Sequence, residues 1–216
     1  MKRESDMLLV AVYADESCLG NGREGQNPGG AGGLIELMNR GKLARYDYWL
    51  SEPGTTNNRM ALRSAMEALA ILSRKGKRCR VVFTSDSRYL VDGNTQWLRD
   101  WIKRGWKRRS GTIENLALWQ ELAAVRAGHE VEWRWVRGHD GHPQNEYANH
   151  LATHAAASQT SSDGAIQSRF DEWLTAERTK GRMTLEPFPL PDARRFTPTP
   201  PLPREGSSSL WSTGTT

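Results

Sequence analysis

The sequence predicts an α/β fold in which a five-stranded mixed sheet is flanked by helices. Three apolar segments joined by glycine-containing connections come first, and this order indicates an antiparallel meander. A helical segment and a fourth strand follow, so the strand–helix–strand order predicts a right-handed crossover to a parallel neighbour. Further helical segments then precede a fifth strand and a last helix.

The first predicted strand leads to the first candidate site residue. Residues 8–14 are apolar or small and rich in β-branched and aromatic types, which is typical of a buried strand. The strand stops at Asp15, and the glycines from Gly20 onward predict a turn and then a loop that continues to Gly33. The second and third strands are predicted over residues 34–38 and 43–50. On this stretch alone, Asp15 fits a site and an ordinary surface residue equally well.

A second acidic residue ends the fourth predicted strand. Thr55 and Thr56 are typical N-cap residues, and apolar residues recur at helical spacing after them. The strand that follows, residues 80–86, ends in Asp86. If the first and fourth strands are parallel neighbours, Asp15 and Asp86 emerge at the same edge of the sheet. In open α/β sheets, this is the edge where sites form.

The later elements complete a domain and leave a C-terminal extension. Helical segments are predicted at 87–91, 95–105, 114–127 and 144–157, and the fifth strand at 130–136. The composition changes after Ser158, so we divide the chain into a domain of residues 1–158 and an extension of residues 159–216. A capping-box pattern from Ser168 to Asp171 and apolar residues on one face predict a short helix at about 167–180, before a proline- and serine-rich tail. The tail either stays extended and partly disordered or packs on the domain, and the sequence leaves both open.

The overall composition favours an anionic partner. The formal net charge is +5 and the pI is about 9.4. Two cysteines in 216 residues do not form a disulfide framework, which indicates a reducing compartment. The N-terminal residues show no signal-peptide pattern, and no apolar run approaches the roughly 18 residues of a membrane span. We therefore expect a cytoplasmic protein without membrane contact, and we expect it to be a monomer.

Several motifs in a fixed order resemble the type 1 ribonuclease H family. They are DESCLGN at 15–21, TTNNRM at 55–60, TSDS at 84–87 and GHDGHPQNE at 138–146. The same spacing also carries TQW at 95–97 and WIKRGWK at 101–107. Any one of these motifs is a weak signal, but their order and spacing together are specific. The resemblance covers about residues 7–157 and implies the ribonuclease H-like fold.

This resemblance implies endonucleolytic hydrolysis of the RNA strand of an RNA/DNA hybrid with two Mg²⁺ ions, for which Mn²⁺ can substitute. In the family, four acidic residues hold the metal ions, and Asp15 matches the first and Asp86 the third. His139 matches a loop histidine that assists proton movement or product release. Two divalent ions roughly 4 Å apart neutralise the attacking and leaving oxygens of a phosphodiester, and clustered carboxylates can hold them.

The sequence departs from the family pattern at the two other acidic positions. Ala61 stands where the family has a glutamate, and Asn149 stands where it usually has an aspartate. Asn149 keeps a carbonyl oxygen that can ligate a hard cation, whereas Ala61 offers no donor atom. The resemblance thus gives a catalytic set of Asp15, Ala61, Asp86, His139 and Asn149, with metal ligands at Asp15, Asp86 and Asn149.

None of the nearby acidic residues is expected to replace the missing glutamate. Glu16 follows Asp15 directly and is expected to point to the opposite face of the strand. Glu67 lies off the helical face of Ala61, and Asp140 would need the loop to rearrange. Because the surrounding motifs are intact, we expect an enzyme inactivated or strongly impaired by a deliberate replacement at Ala61. A non-catalytic RNA/DNA hybrid-binding protein is the alternative.

The resemblance also implies a surface that binds the hybrid. The matched residues are Asn21, Thr56, Asn57, Asn58, Arg88, Trp97, Lys103, Arg104 and Lys107. The asparagines and Arg88 match minor-groove positions, where 2′-hydroxyls distinguish RNA from DNA. Thr56 matches part of a pocket for a DNA phosphate, and Trp97 matches a contact with a DNA sugar. The lysines and Arg104 belong to a basic segment that tracks phosphates.

Overall fold

Six strands form one mixed sheet in the computed structural model, which describes residues 7–20, 27–74 and 76–203. They are β1 (Leu9–Cys18), β2 (Gly29–Asn39), β3 (Lys42–Glu52), β4 (Arg80–Ser85), β5 (Glu130–Trp135) and β6 (Ile166–Gln167). Their order in the sheet is β5-β4-β1-β2-β3-β6. β1 pairs antiparallel with β2 and parallel with β4, which confirms the predicted meander and crossover. The two-residue β6 comes from the C-terminal extension and was not among the five predicted strands.

The helices flank this sheet on both faces. They are α1 (Asn57–Ser73), α2 (Arg88–Asp92), α3 (Leu98–Lys103), α4 (Leu116–Arg126), α5 (Pro143–Ser158) and α6 (Phe170–Thr179). A π-helical turn, Gly93–Trp97, joins α2 to α3, and a short 3₁₀ turn lies at Ala193–Arg195. Within the described ranges, no helix has both the length and the apolar character needed to cross a bilayer.

β2 begins at Gly29 rather than at Leu34, because its glycines let other elements approach the sheet. A Cβ atom on Gly30 would lie 2.3 Å from the backbone atoms Ala152 O and Ala156 N of α5. Such a distance is a clash, so only glycine allows α5 to lie this close to the strand. The segment predicted as a glycine-rich loop is therefore, from Gly29 onward, the strand on which α5 rests.

Two apolar cores form on the two faces of the sheet. The first core lies between the sheet and helices α1 and α4, and it includes Val10, Val12, Leu62, Leu69, Phe83 and Trp119. The second core lies under α5 and α6, and it includes Ala11, Tyr13, Leu34, Tyr147, Leu151, Phe170 and Leu174. Side chains along β1 thus alternate between the two cores, as the period of a strand requires.

The first part of the C-terminal extension packs on the outer side of β3. β6 pairs with β3, and α6 contributes the buried Phe170 and Leu174 to the second core. The N-cap of α6 is Arg169 rather than the predicted Ser168, whose hydroxyl accepts a hydrogen bond from Phe170 N at 3.0 Å. Asp171, the last residue of that predicted capping box, instead pairs with Arg45 of β3 at 2.8 Å.

The second part of the extension, residues 183–203, continues to the opposite edge of the sheet. Thr199 N donates to Val131 O of β5 at 2.8 Å, and Leu202 packs against the first core. The buried Arg126 donates to Pro200 O at 3.3 Å. The extension therefore lies along both β3 and β5, the outer two of the first five strands, and such a cover protects edge strands from pairing with other molecules. Of the two alternatives, packing on the domain is correct for the described part, and residues 204–216 lie outside it.

Candidate active site

Three carboxylates meet at the edge of the sheet where β1 and β4 end. Asp15 and Glu16 belong to β1, and Asp86 follows the last residue of β4. One carboxylate oxygen of each lies within 4.8 Å of those of the other two. The parallel pairing of β1 with β4 ends at Ala14 and Ser85, so all three residues lie just past the last paired residues. The prediction that Asp15 and Asp86 emerge together is confirmed.

Glu16 belongs to this cluster, although it was not expected to replace the missing glutamate. Alternation along β1 does send the two side chains to different faces: Asp15 accepts from Asn145 of α5, at 3.1 Å. Glu16, by contrast, points to the face covered by α1. Its charge contributes to raising the pKa of Tyr48, which is buried in the first core on that face. β4 has already ended at this level, so no strand separates the two faces there. The Glu16 carboxylate can therefore reach Asp86 around the end of β4.

The helix position that resembles the family glutamate carries no ligand. Ala61 lies in the first part of α1, where its methyl group is buried in the first core. The two other acidic residues considered as replacements do not belong to the carboxylate cluster. Glu67 pairs with Arg74 at 3.4 Å, and Asp140 is exposed in the loop before α5. Among the described residues, Glu16 is thus the third carboxylate of the site.

Burial raises the pKa of all three carboxyl groups, and repulsion from neighbouring carboxylates adds to each shift. Burial raises the pKa of Asp15 to about 8, and the charge of Asp86 acts in the same direction. Burial also raises the pKa of Glu16 well above its usual value, and both aspartates add to this shift. The pKa of Asp86 is raised as well, first by burial. Closely spaced carboxylates without a compensating cation offer hard oxygen ligands of the kind that Mg²⁺ prefers.

α5 brings two amide side chains to the same edge. Asn145 Nδ2 donates to Asp15 Oδ2, and its other amide atom, Oδ1, is buried without a hydrogen-bond partner among the described residues. Asn149 is half-buried one helical turn later, on the same face of α5. The contact made by Asn145 was not predicted from the sequence. The four-residue spacing between the two asparagines is the signal that could have found it.

His139 lies on the loop between β5 and α5, at the rim of the site. Its side chain is exposed, and Nδ1 lies 3.9 Å from Glu146 Oε2 of α5. The neighbouring Gly138 lies against the carboxylate cluster, since a Cβ atom there would be 2.2 Å from Asp86 Oδ2. The loop therefore passes directly over Asp86 and carries His139 next to the carboxylates.

Residues matched to hybrid contacts lie at the starts of α1 and α2. Thr56 caps α1, where its hydroxyl accepts from Arg59 N at 3.3 Å, and Asn57 and Asn58 form the first turn. Arg88 opens α2, two residues after Asp86, and its guanidinium lies 3.6 Å from the centre of the Trp135 ring. Trp135 Nε1 in turn donates to Asp86 O at 2.9 Å. Asn21 lies outside the described residues.

A basic and aromatic segment extends from α3. Trp97 packs against Tyr89 and Trp101, with ring centres 6.1 and 5.8 Å apart. Lys103, Arg104 and Lys107 are exposed, and Arg104 and Lys107 line a cleft with Trp97. The structure thus places tryptophan faces and cationic groups on one surface, a combination that suits a nucleic-acid strand.

Comparisons with known proteins identify the family of this chain. The RNase H family model matches residues 8–157. A ribonuclease H from Alcanivorax borkumensis is 44% identical over 147 residues, which cover 68% of this chain and 90% of that protein. A ribonuclease H from Escherichia coli is 40% identical over 159 residues, which cover 73% and 96%.

Solved structures agree with this result. LC9-RNase H1, described as a type 1 RNase H with the type 2 active-site motif, is 60% identical, with a TM-score of 0.84. The superposition covers 94% of this chain and 97% of that one. The PFV RNase H domain is 14% identical with a TM-score of 0.59, and it shares the fold alone. The family-model match and the identity to these relatives show that the chain belongs to the RNase H family.

Proposed function

We propose that this chain hydrolyses the RNA strand of RNA/DNA hybrids endonucleolytically, with divalent metal ions held by Asp15, Glu16, Asp86 and Asn149. The observation that carries the proposal is the convergence of three carboxylates within 4.8 Å at the edge of an RNase H fold. All their donor atoms are oxygens, which favours Mg²⁺, with Mn²⁺ as a substitute. Asn149 would add a carbonyl oxygen from α5.

The roles of the protein groups follow from their positions. When bound, two divalent ions would neutralise the charge that develops on the attacking and leaving oxygens of the scissile phosphate. Asp15 and Asp86 hold ligand oxygens at the ends of neighbouring strands, and Asn145 orients Asp15 through its hydrogen bond. His139 lies exposed beside this cluster, where it can accept or deliver a proton at the rim of the site.

Glu16 supplies the carboxylate that is missing at position 61, and we therefore propose an active enzyme. The expectation of an impaired chain depended on the absence of any replacement carboxylate, and the position of Glu16 removes that premise. A deliberate replacement at Ala61 is then no longer needed to explain the sequence. The 60% identical LC9-RNase H1 is itself described as combining a type 1 enzyme with the type 2 active-site motif.

The substrate side of the proposal uses the surface next to the carboxylates. Asn57 is half-buried in the first turn of α1, and its side-chain amide would contact a 2′-hydroxyl in the minor groove. Arg88, Asn58 and Asn21 would extend this contact, and Thr56 would bind a phosphate of the DNA strand. Trp97 would pack on a DNA sugar, while Lys103, Arg104 and Lys107 track phosphates. Such hybrids arise inside cells, and we place the activity in the cytoplasm.

A labelled RNA strand in an RNA/DNA hybrid tests the proposal directly. We expect the unchanged chain to cut the hybrid in Mg²⁺ but to leave the matching DNA duplex intact. Glu16→Gln keeps the size of the side chain and removes its charge, and it should lower cleavage at least 100-fold. Glu67→Gln is the matched control on α1 and should change cleavage less than twofold. Full activity of Glu16→Gln would refute the role given to Glu16.

The Ala61→Glu variant distinguishes a chain that is already active from one that is impaired by Ala61. If Glu16 already completes the site, a second glutamate adds repulsion among buried carboxylates and should not increase cleavage. A gain of tenfold or more would instead support a chain impaired by Ala61. Salt-dependent binding of the hybrid without cleavage, in both Ala61→Glu and the unchanged chain, would support the non-catalytic hybrid-binding protein.

A further inference from the structure

The C-terminal extension reaches the loop that carries His139. Phe188 stacks on His142 at the end of that loop, with ring centres 4.2 Å apart and an interplanar angle of 14°. The side chain of Leu185 lies next to Gly141, because a Cβ atom on that glycine would be 3.4 Å from Leu185 Cδ1. Two residues of the extension therefore border the short segment between Gly138 and His142.

A pair of hydrogen bonds fixes Phe188 to the first turn of α5. The buried Gln144 donates through Nε2 to Phe188 O at 2.8 Å and accepts through Oε1 from Phe188 N at 3.2 Å. Both polar atoms of this amide are thus used by one residue of the extension. They fix the backbone of Phe188, a residue that is 47% exposed and whose ring stacks on His142.

His142 connects Phe188 to the residues that contact the carboxylate cluster. Its Nδ1 accepts from Asn145 N at 3.3 Å, which caps α5, and Asn145 Nδ2 binds Asp15. The His142 ring also lies 5.4 Å from that of Tyr13, which precedes Asp15 by two residues on β1. At the other end of the loop, Gly138 lies against Asp86. The His139 loop is therefore held at both ends, and Phe188 covers one of them.

We infer that Phe188 is a positioning residue for catalysis, which fixes the His139 loop and the start of α5 relative to Asp15 and Asp86. The inference rests on the proposed function, since it concerns the groups assigned to that reaction. Small displacements of catalytic groups lower turnover strongly, and none of the residues assigned to hybrid binding belongs to the His139 loop or to the start of α5. Loss of the ring should therefore change kcat rather than KM.

Steady-state cleavage of the hybrid by Phe188→Ala measures this effect, with Phe196→Ala as the matched control. Phe196 belongs to the same extension but lies over Arg80, at 5.7 Å. For Phe188→Ala we expect a kcat about tenfold lower at an unchanged KM, and for Phe188→Tyr a kcat close to that of the unchanged chain. Phe196→Ala should keep both parameters. Unchanged kcat in Phe188→Ala, or an equal loss in Phe196→Ala, would overturn the inference.

Amide hydrogen exchange of the metal-free protein gives a second readout that needs no activity. Residues 138–146 should exchange faster in Phe188→Ala and at the normal rate in Phe196→Ala. If the unchanged chain does not cleave the hybrid, the proposed function fails, while the exchange experiment still decides the inference. If Phe188→Ala does not fold, Phe188→Leu keeps the apolar contact without the flat ring. Normal exchange and normal kcat in Phe188→Leu would then contradict the positioning role.

Discussion

Glu16 shows how a carboxylate can enter a site from the opposite face of a strand. Its backbone follows Asp15 directly, yet one oxygen of each side chain lies within 4.8 Å of the other and of Asp86. This is possible because β1 continues past the last residue of β4, so both side chains border the same open edge. The buried methyl group of Ala61 on α1 is compatible with this arrangement, since the carboxylate comes from the strand instead.

The raised pKa values predict how the stability of the metal-free protein depends on pH. The pKa of Asp15 is about 8 in the folded state and about 4 in the unfolded state. A group with a raised folded pKa stabilises the fold below its unfolded pKa, and this contribution is lost as the pH rises through its folded pKa. The melting temperature of the metal-free protein should thus fall between about pH 4 and pH 8.

Thermal melting in a chelator checks this expectation, with Asp15→Asn as the comparison. The asparagine cannot ionise, so the variant should melt about 5 °C higher than the unchanged chain at pH 8. The difference should shrink at pH 5, and excess Mg²⁺ should stabilise only the unchanged chain at pH 8. Parallel pH profiles for the two proteins would show that the cluster is not a source of repulsion.

At the residue level, the sequence predicts a site residue well when it lies where the pairing of two parallel strands ends. Asp15 and Asp86 were found in this way, and the parallel pairing places them together. Glu16 was excluded because the alternation rule describes the interior of a sheet, where neighbouring strands separate the two faces. Where a strand extends beyond the end of its neighbour, the rule still gives the face to which a side chain points. It does not show which groups on the other face that side chain can contact.

α5 positions the amide groups of the site only because β2 lets it approach. The glycines of β2 leave no side chain between the strand and the backbone of this helix, as the 2.3 Å distances from a Cβ atom on Gly30 show. Propensity-based reasoning assigned these residues to a loop, since glycine is rare in strands. The need for them comes from a helix more than one hundred residues later in the chain, which no local pattern reveals.

Gly30→Ala tests this requirement at the level of the element. The added methyl group would displace the backbone of α5, and we expect unfolding to become easier by about 3 kcal/mol. Gly128→Ala is the control, because its Cβ atom would have its nearest contact at an ordinary 3.4 Å. Chemical denaturation measures both variants. A stability loss below about 1 kcal/mol for Gly30→Ala would mean that α5 is not fixed by this contact.

Across the whole molecule, the C-terminal extension belongs to the folded structure as far as residue 203, where the described part of the chain ends. It adds a strand to one edge of the sheet, fills the second core through α6 and covers β5 at the other edge. From the proline-rich composition, an extended tail and a packed tail were equally plausible. The sequence could not decide between them, because the contacts that hold the tail involve residues far away in the chain. The sequence predicted α6 from its own cap and apolar spacing, but not where it packs.

Phe170→Ala measures how much this extension stabilises the fold. Phe170 is fully buried between α5, β3 and its own helix, so its removal should lower the free energy of unfolding by about 4 kcal/mol. Leu185→Ala changes an exposed side chain of the same extension and should cost less than about 1 kcal/mol. Denaturant unfolding of the full chain compares the two. If both variants lost only a small and equal amount of unfolding free energy, the extension would contribute little to the stability of the domain.

The position of a bound metal ion tests the central claim, that Glu16 completes the site, most directly. Crystals of the unchanged chain with Mn²⁺ give an anomalous signal that locates the ion without reference to activity. We predict a peak among Asp15, Glu16 and Asp86, with an oxygen of each carboxylate at about 2.2 Å from the metal. A peak coordinated by Asp15 and Asp86, with Glu16 turned away toward α1 and out of contact, would contradict the account.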